Sequence, residues 1–243
     1  MGGVLHILII QHARVETAGS MGRFLEEDGH TSQVVHLDEG ECIPEDTNID
    51  GLWVLGGPMD VWEEDKLPWL KYEKAFIHSQ VKDKGVPFLG ICLGHQLLAE
   101  SLGGHVAKSI NPEVGVLTVS LTENGQTGVF FDGLPENFKA LQWHGAEIVK
   151  LPPGAKTLAW SEDCHIQAMQ WETRAFSVQF HLEIEEDTVR NWANIPEYRA
   201  SLNETMGENG FEKMQNACLA NIADMKEKAE RLYINWMQAI AQT

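Results

Sequence analysis

Val86-Pro87-Phe88-Leu89-Gly90-Ile91-Cys92-Leu93-Gly94-His95-Gln96 leads an apolar run into a cysteine flanked by glycines, and a helix-like segment, Leu93 to Leu102, follows at once. A strand that turns sharply into a helix at G-x-nucleophile-x-G exposes the central side chain at the end of a sheet. The glycines permit the tight turn and the close approach of neighbouring backbone. The helix amino terminus then lies under the sulfur and favours its thiolate form. Cys92 therefore reads as a covalent nucleophile rather than a packing residue.

Working outward from this turn, the first half of the chain alternates strand-like and helix-like segments. Val4 to Ile10, Gln33 to Leu37, Leu52 to Leu55 and Val86 to Ile91 read as strands. Thr17 to Asp28 and Leu67 to Lys84 read as amphipathic helices between them. This rhythm predicts an α/β fold with an open, mostly parallel, flavodoxin-like sheet flanked by helices. Ligands of such sheets bind beyond the carboxyl ends of the strands, where Gly56-Gly57-Pro58 and Cys92 both fall. From His105 to His181 short runs (Val116 to Leu121, Ala140 to Trp143, Thr157 to Trp160, Ile166 to Trp171 and Ala175 to Phe180) predict antiparallel additions. Glu123-Asn124-Gly125 and Pro152-Pro153-Gly154 separate them as turns. Helix-like sequence resumes near Glu185, and Phe211 to Ala241 predicts one long helix with an apolar stripe from Met214 to Trp236. The expected division is a principal domain over residues 1–185 and a helical C-terminal extension over 186–243, packed on the same domain.

The 243 residues carry a formal net charge of −18 and are 43% hydrophobic. That acidity is a poor match for a phosphate backbone and argues against a nucleic-acid partner. No apolar run has the length of a membrane span. The N-terminal apolar run lacks a basic leader and a small-residue cleavage site, so it reads as a buried strand and not a signal peptide. Four scattered cysteines without a C-x-x-C pair predict reduced thiols in a cytoplasmic protein. Cys164-His165 has no spaced partner ligands, so no metal and no cofactor are expected.

A cysteine nucleophile needs a base, and the base needs an acceptor that orients it. Gln179-Phe180-His181-Leu182-Glu183 ends the last apolar strand and offers both. In extended backbone, residues two apart point to the same side, so Glu183 can reach one imidazole nitrogen while the other faces Cys92. The backbone N–H of Leu93 is one expected oxyanion donor and that of Gly57 a second. His12 and Glu16 follow the first strand; a polar, solvated loop is the preferred reading over cleft lining. Asp60, Trp62, Glu63, Glu64 and Asp65 fit a lid or an exposed loop equally. His95 and His105 read as structural.

Gly56-Gly57-Pro58, the Cys92 turn and the His181-Leu182-Glu183 segment together resemble the three signatures of class I, triad-type glutamine amidotransferases. The resemblance spans about residues 4 to 185 and is nearest to stand-alone, GMP-synthase-like members. It implies hydrolysis of the γ-carboxamide of glutamine, or of a related γ-glutamyl amide, through a Cys92 thioester. It places Gly56, Gln96, Trp143, His144 and Gly145 around the substrate. Many members have Pro between the triad His and Glu; Leu182 stands there in this chain, which frees φ and restores an N–H. Three functions follow: a free-standing amide hydrolase, an ammonia-donating subunit of a separate synthetase, or a silent regulatory module, which the intact Cys-His-Glu set disfavours. The stripe on the last helix suits core packing or a homo-oligomer contact.

Overall fold

Ile7 and Ile9 face one side of strand β1 (His6–Gln11), Leu8 and Ile10 the other, and all four are buried. A strand apolar on both faces must be covered on both. The computed structural model, which describes residues 3–44 and 48–241, provides both covers. The outermost residues of the two expected domains, 1–2 and 242–243, lie outside the described residues, as do 45–47.

One nine-stranded sheet forms the molecule's centre. Its strands are β1, β2 (Thr31–His36), β3 (Gly51–Val54), β4 (Phe88–Ile91), β5 (His105–Leu121), β6 (Asn137–Lys150), β7 (Lys156–Trp160), β8 (Ala168–Trp171) and β9 (Ala175–Val178). The spatial order is β2-β1-β3-β4-β9-β8-β7-β5-β6. The first five positions are parallel, in the 2-1-3-4-5 pattern of flavodoxin-like sheets, and β8, β7, β5 and β6 continue it antiparallel. The expected α/β architecture with antiparallel additions is therefore present.

Helices α1 (Gly19–Glu27) and α7 (Gly210–Ala241) cover the Ile7 face; α2 (Trp69–His78) and α3 (Leu93–Ser101) cover the Leu8 face. The α7 stripe is core. Trp236 is fully buried, meets Trp53 edge-on at 5.5 Å and donates its indole N–H to the Phe88 carbonyl at 3.1 Å.

Several boundaries differ from the expectation for physical reasons. The helix read over Leu67 to Lys84 starts only after Pro68 and loosens into a π turn over Ser79–Asp83. Glu123-Asn124-Gly125 is not a bare turn; it opens the short helix α4 (Glu123–Thr127), whose Gly125 N–H is capped by Thr122 Oγ1 at 3.2 Å. β5 and β6 are far longer than their apolar centres. They pair as a hairpin with a register shift between Lys108 and Glu113 that sequence alternation did not betray. The segment near Glu185 becomes two helices, α5 (Thr188–Trp192) and α6 (Pro196–Met206). Among the described residues no helix is long and apolar enough to cross a membrane.

Trp236→Ala removes a fully buried indole and its hydrogen bond. The expected loss is about 3–5 kcal/mol, read as a lower denaturant midpoint at unchanged slope.

Candidate functional site

The turn after β4 places Cys92 at φ 52° and ψ −102°, a conformation rare for a side-chain-bearing residue. Neighbouring strands pin it there. Cys92 N–H donates to Val178 O at 2.8 Å, and Gly94 N–H donates to Leu55 O at 3.2 Å. Both flanking glycines are sterically required. A Cβ at Gly94 would lie 2.0 Å from the Val54 carbonyl oxygen, and one at Gly90 would lie 2.6 Å from the Gly94 carbonyl oxygen. Helix α3 begins directly after the cysteine, whose carbonyl accepts from the His95 and Gln96 N–H groups.

His181 lies just past β9, held to Leu141 by a pair of backbone hydrogen bonds of 2.9 and 3.1 Å. Its Nδ1 is 2.6 Å from Glu183 Oε1, and Cys92 is the other side chain that acts on the ring. Burial opposes a charge on His181, yet Glu183 and Cys92 together hold its pKa well above the ordinary imidazole value. Trp192 packs edge-on against the ring at 4.7 Å, and the Glu183 carbonyl is fixed by the Ser20 N–H at the start of α1. Cys92, His181 and Glu183 are thus brought together as one buried group.

Cys92 opens into a cleft of about 530 Å3 at the carboxyl edge of the sheet. Gly57, Leu93, Gln96, Trp143, His144 and Gly145 all line it. Gly56, expected beside them, lies behind the wall, where its carbonyl holds His12 Nδ1 at 2.9 Å. Trp143 gives its indole N–H to Ser201 at 2.8 Å and so ties β6 to α6. Both ring nitrogens of His144 are engaged, with the Ala146 carbonyl and with Glu113, each at 3.1 Å. Asp60 and Glu63 border the mouth, whereas Glu64 turns away to pair with Lys74. His95 is structural: Ser177 and the Ile166 carbonyl bracket its ring, and burial pushes its pKa down to about 3.

The structure departs from the sequence reading in two places. His12 and Glu16 are not on a solvated loop; they are 1% and 2% exposed. His12 Nε2 lies 2.9 Å from Glu73 Oε1 on α2, and Tyr198 on α6 donates its hydroxyl to Glu16. Burial lifts the Glu16 carboxyl above its ordinary value. The second is the α6 wall. Glu197, Tyr198, Ser201, Glu204 and Thr205 line the cleft, and nothing in their spacing announced it.

Glu113, His144 and Cys164 present ligand-type atoms within 4.8 Å of one another. They come from separate segments, so linear spacing could not group them. The Glu113 carboxylate is already engaged by His144 and by Gln167 Nε2 at 2.6 Å. Burial raises the Cys164 pKa far above the usual thiol range, which keeps it a protonated thiol. Within the cluster His144 and Glu113 bond to each other, while the Cys164 backbone bonds to Ser161.

Burial opposes the charge on His12, but Glu73 outweighs it and raises the pKa above 6.5. The pair's contribution is complete below that value and is lost as pH rises through the raised one. Glu73→Gln is expected to cost about 3–5 kcal/mol. The gap from wild type should be widest at or below about pH 6.5 and should narrow as pH rises, read by thermal unfolding across pH.

The family model for Glutamine amidotransferase class-I matches residues 19–191, more than half the chain. A subunit of GMP synthase (glutamine-hydrolyzing) from Sulfolobus acidocaldarius is 37% identical over 154 residues, covering 63% of this chain and 77% of that protein. GMP synthase (glutamine-hydrolyzing) of Aeropyrum pernix is 33% identical over 184 residues; this chain matches 72% of its own length to only 33% of that longer protein. Among solved structures, a glutamine amidotransferase from Thermotoga maritima superposes with a TM-score of 0.85 at 27% identity, with full coverage of both chains. One from Methylobacillus flagellatus gives 0.85 at 26% identity, covering 98% of this chain and 96% of that one. With the turn at Cys92, the sheet order and these likenesses in agreement, this chain belongs to the class I glutamine amidotransferase family.

Proposed function

We propose that the protein hydrolyses the γ-carboxamide of glutamine, or of a related γ-glutamyl amide, with Cys92 as nucleophile. The observation that carries this reading is the strained Cys92 turn, which faces the His181–Glu183 pair at the floor of an open cleft. The thiolate attacks the amide carbon. The N–H groups of Leu93 and Gly57 receive the developing oxyanion, each worth about 3–4 kcal/mol in the transition state. His181, charged at the outset, gives its proton to the departing nitrogen, and ammonia or an amine leaves. A γ-glutamyl thioester remains on Cys92. His181, now neutral, takes a proton from water as the water attacks the thioester. The carbon–sulfur bond breaks, glutamate leaves, and the thiolate–imidazolium pair is restored. Glu183 keeps the ring oriented and supports its charge throughout.

In this reading residues 1–185 carry the chemistry, and the helical extension over 186–243 supplies the α6 wall. Gln96 and the backbone of Trp143, His144 and Gly145 would hold the amino-acid end of the substrate. The name of the Sulfolobus relative favours a second reading, in which the ammonia passes to a separate synthetase subunit.

Glutamate release from L-glutamine by the purified chain separates the two. Cys92-dependent turnover by the chain alone supports the self-sufficient hydrolase. Turnover only on adding a synthetase subunit supports the donor, and turnover that survives Cys92→Ala sinks the mechanism. Glu183→Gln should lower the rate on the order of 10²–10⁴-fold, because burial then discharges His181.

A further inference from the structure

A continuous chain of buried side-chain amides runs from β6 to the nucleophile. Gln96 Nε2 donates to the Ala146 carbonyl at 3.2 Å and to Gln179 Oε1 at 3.0 Å. Gln179 Nε2 lies 3.5 Å from Cys92 Sγ. Gln96 is 4% exposed and Gln179 not at all.

The orientation of both amides follows from one atom that cannot be misassigned. A backbone carbonyl only accepts, so the end of Gln96 that faces Ala146 O must be its NH2 group. The second hydrogen of that group points at Gln179, so the atom of Gln179 that meets it must be the oxygen. Turned either way, an amide has one oxygen and one nitrogen, so the group left facing Cys92 is the Gln179 NH2. The backbone supports the same placement: Gln179 N–H is bonded to Gln167 O at 2.8 Å, which fixes the segment between β9 and His181. Ala146 O is itself shared with His144 Nδ1, and His144 is held by Glu113, so the carbonyl that orients the chain is clamped.

We propose that Gln179 is a further catalytic residue: its side-chain N–H donates to the Cys92 sulfur, stabilising the thiolate before attack and as the leaving group when the thioester collapses. The inference rests on Cys92 being the nucleophile. A hydrogen bond to an anion is stronger than one to a neutral thioester sulfur. Gln179 therefore raises the share of Cys92 present as thiolate before attack and stabilises the sulfur as leaving group when the thioester collapses; it takes no part in substrate capture, and it stands apart from the residues that line the cleft. Gln179 thus joins His181 as a second polar side chain acting on the sulfur.

The test is the pH dependence of Cys92 alkylation by iodoacetamide in the full chain without substrate, read by mass spectrometry of the Cys92 peptide so that exposed Cys42 does not interfere. Gln179→Met keeps the length and removes the donor. The expected result is a curve displaced upward by about one pH unit, the size of a charge-assisted hydrogen bond to a weak acceptor. Glutamine turnover should fall about tenfold in kcat with KM nearly unchanged. Should the variant fail to fold, the wild-type Gln179 side-chain amide resonances serve instead: they are expected to titrate together with Cys92 and to stop titrating in Cys92→Ala. A superimposable alkylation curve, or amide resonances blind to Cys92, overturns the role of Gln179 while leaving a reactive Cys92 in place. A wild-type Cys92 no more reactive than a free thiol, with turnover independent of it, overturns the nucleophile itself and this inference with it.

Discussion

The backbone at Cys92 is the constraint on which the rest of the site depends. A φ of 52° on a side-chain-bearing residue costs on the order of 1–3 kcal/mol and persists only when its surroundings over-determine it. They do so here from three directions. β9 accepts the Cys92 N–H, the end of β3 accepts the Gly94 N–H, and α3 turns away immediately behind. Two glycines allow strands and helix to approach at backbone contact distance. The sulfur therefore projects beyond the sheet edge, at the amino terminus of a helix, in the one place where β1, β3, β4 and β9 all end.

Buried histidine–carboxylate pairing is the second constraint on the site. Three histidine–carboxylate pairs surround this edge: His181–Glu183, His12–Glu73 and His144–Glu113. Each joins two elements or fixes one loop. His12 steadies the Gly56 carbonyl, and so the Gly56-Gly57-Pro58 loop, while His144 steadies the segment that carries Gly145. Losing the histidine would leave a buried carboxylate without its ring partner in a low-dielectric interior, so these pairs specify geometry more than they add stability. Only the His181 pair has Cys92 beside it, and that sets it apart from the two that position backbone.

The part of the chain beyond the family match is not an appendage. Residues 19–191 match the family model, yet α6 and α7 lie after them. α7 fills one face of the sheet, and α6 closes one side of the cleft through Trp143, Ser201 and the Tyr198–Glu16 contact. The family match spans Cys92 and His181, while the wall on the far side of the cleft belongs to a segment the family model does not reach.

The parallel half of the sheet was legible because each strand is apolar on both faces and is punctuated by turns. Cys92, His181 and Glu183 were legible because their partners are local: flanking glycines for one, a two-residue extended spacing for the others. The β5–β6 hairpin was not, since its ends are polar and take their pairing from strands distant in sequence. His12 and Glu16 look like ordinary loop polar residues; Glu73 and Tyr198, 61 and 182 residues away, make their burial tolerable. Gln179 was visible in its motif, but its direction was set by a carbonyl at Ala146 acting through Gln96. The sequence by itself determined what local periodicity and short spacing encode: the parallel sheet, the sharp turn at Cys92 and the pairing of His181 with Glu183. Tertiary structure decided which distant polar residues meet, because a buried donor or charge is stable only beside a partner that the chain brings back from far along its length.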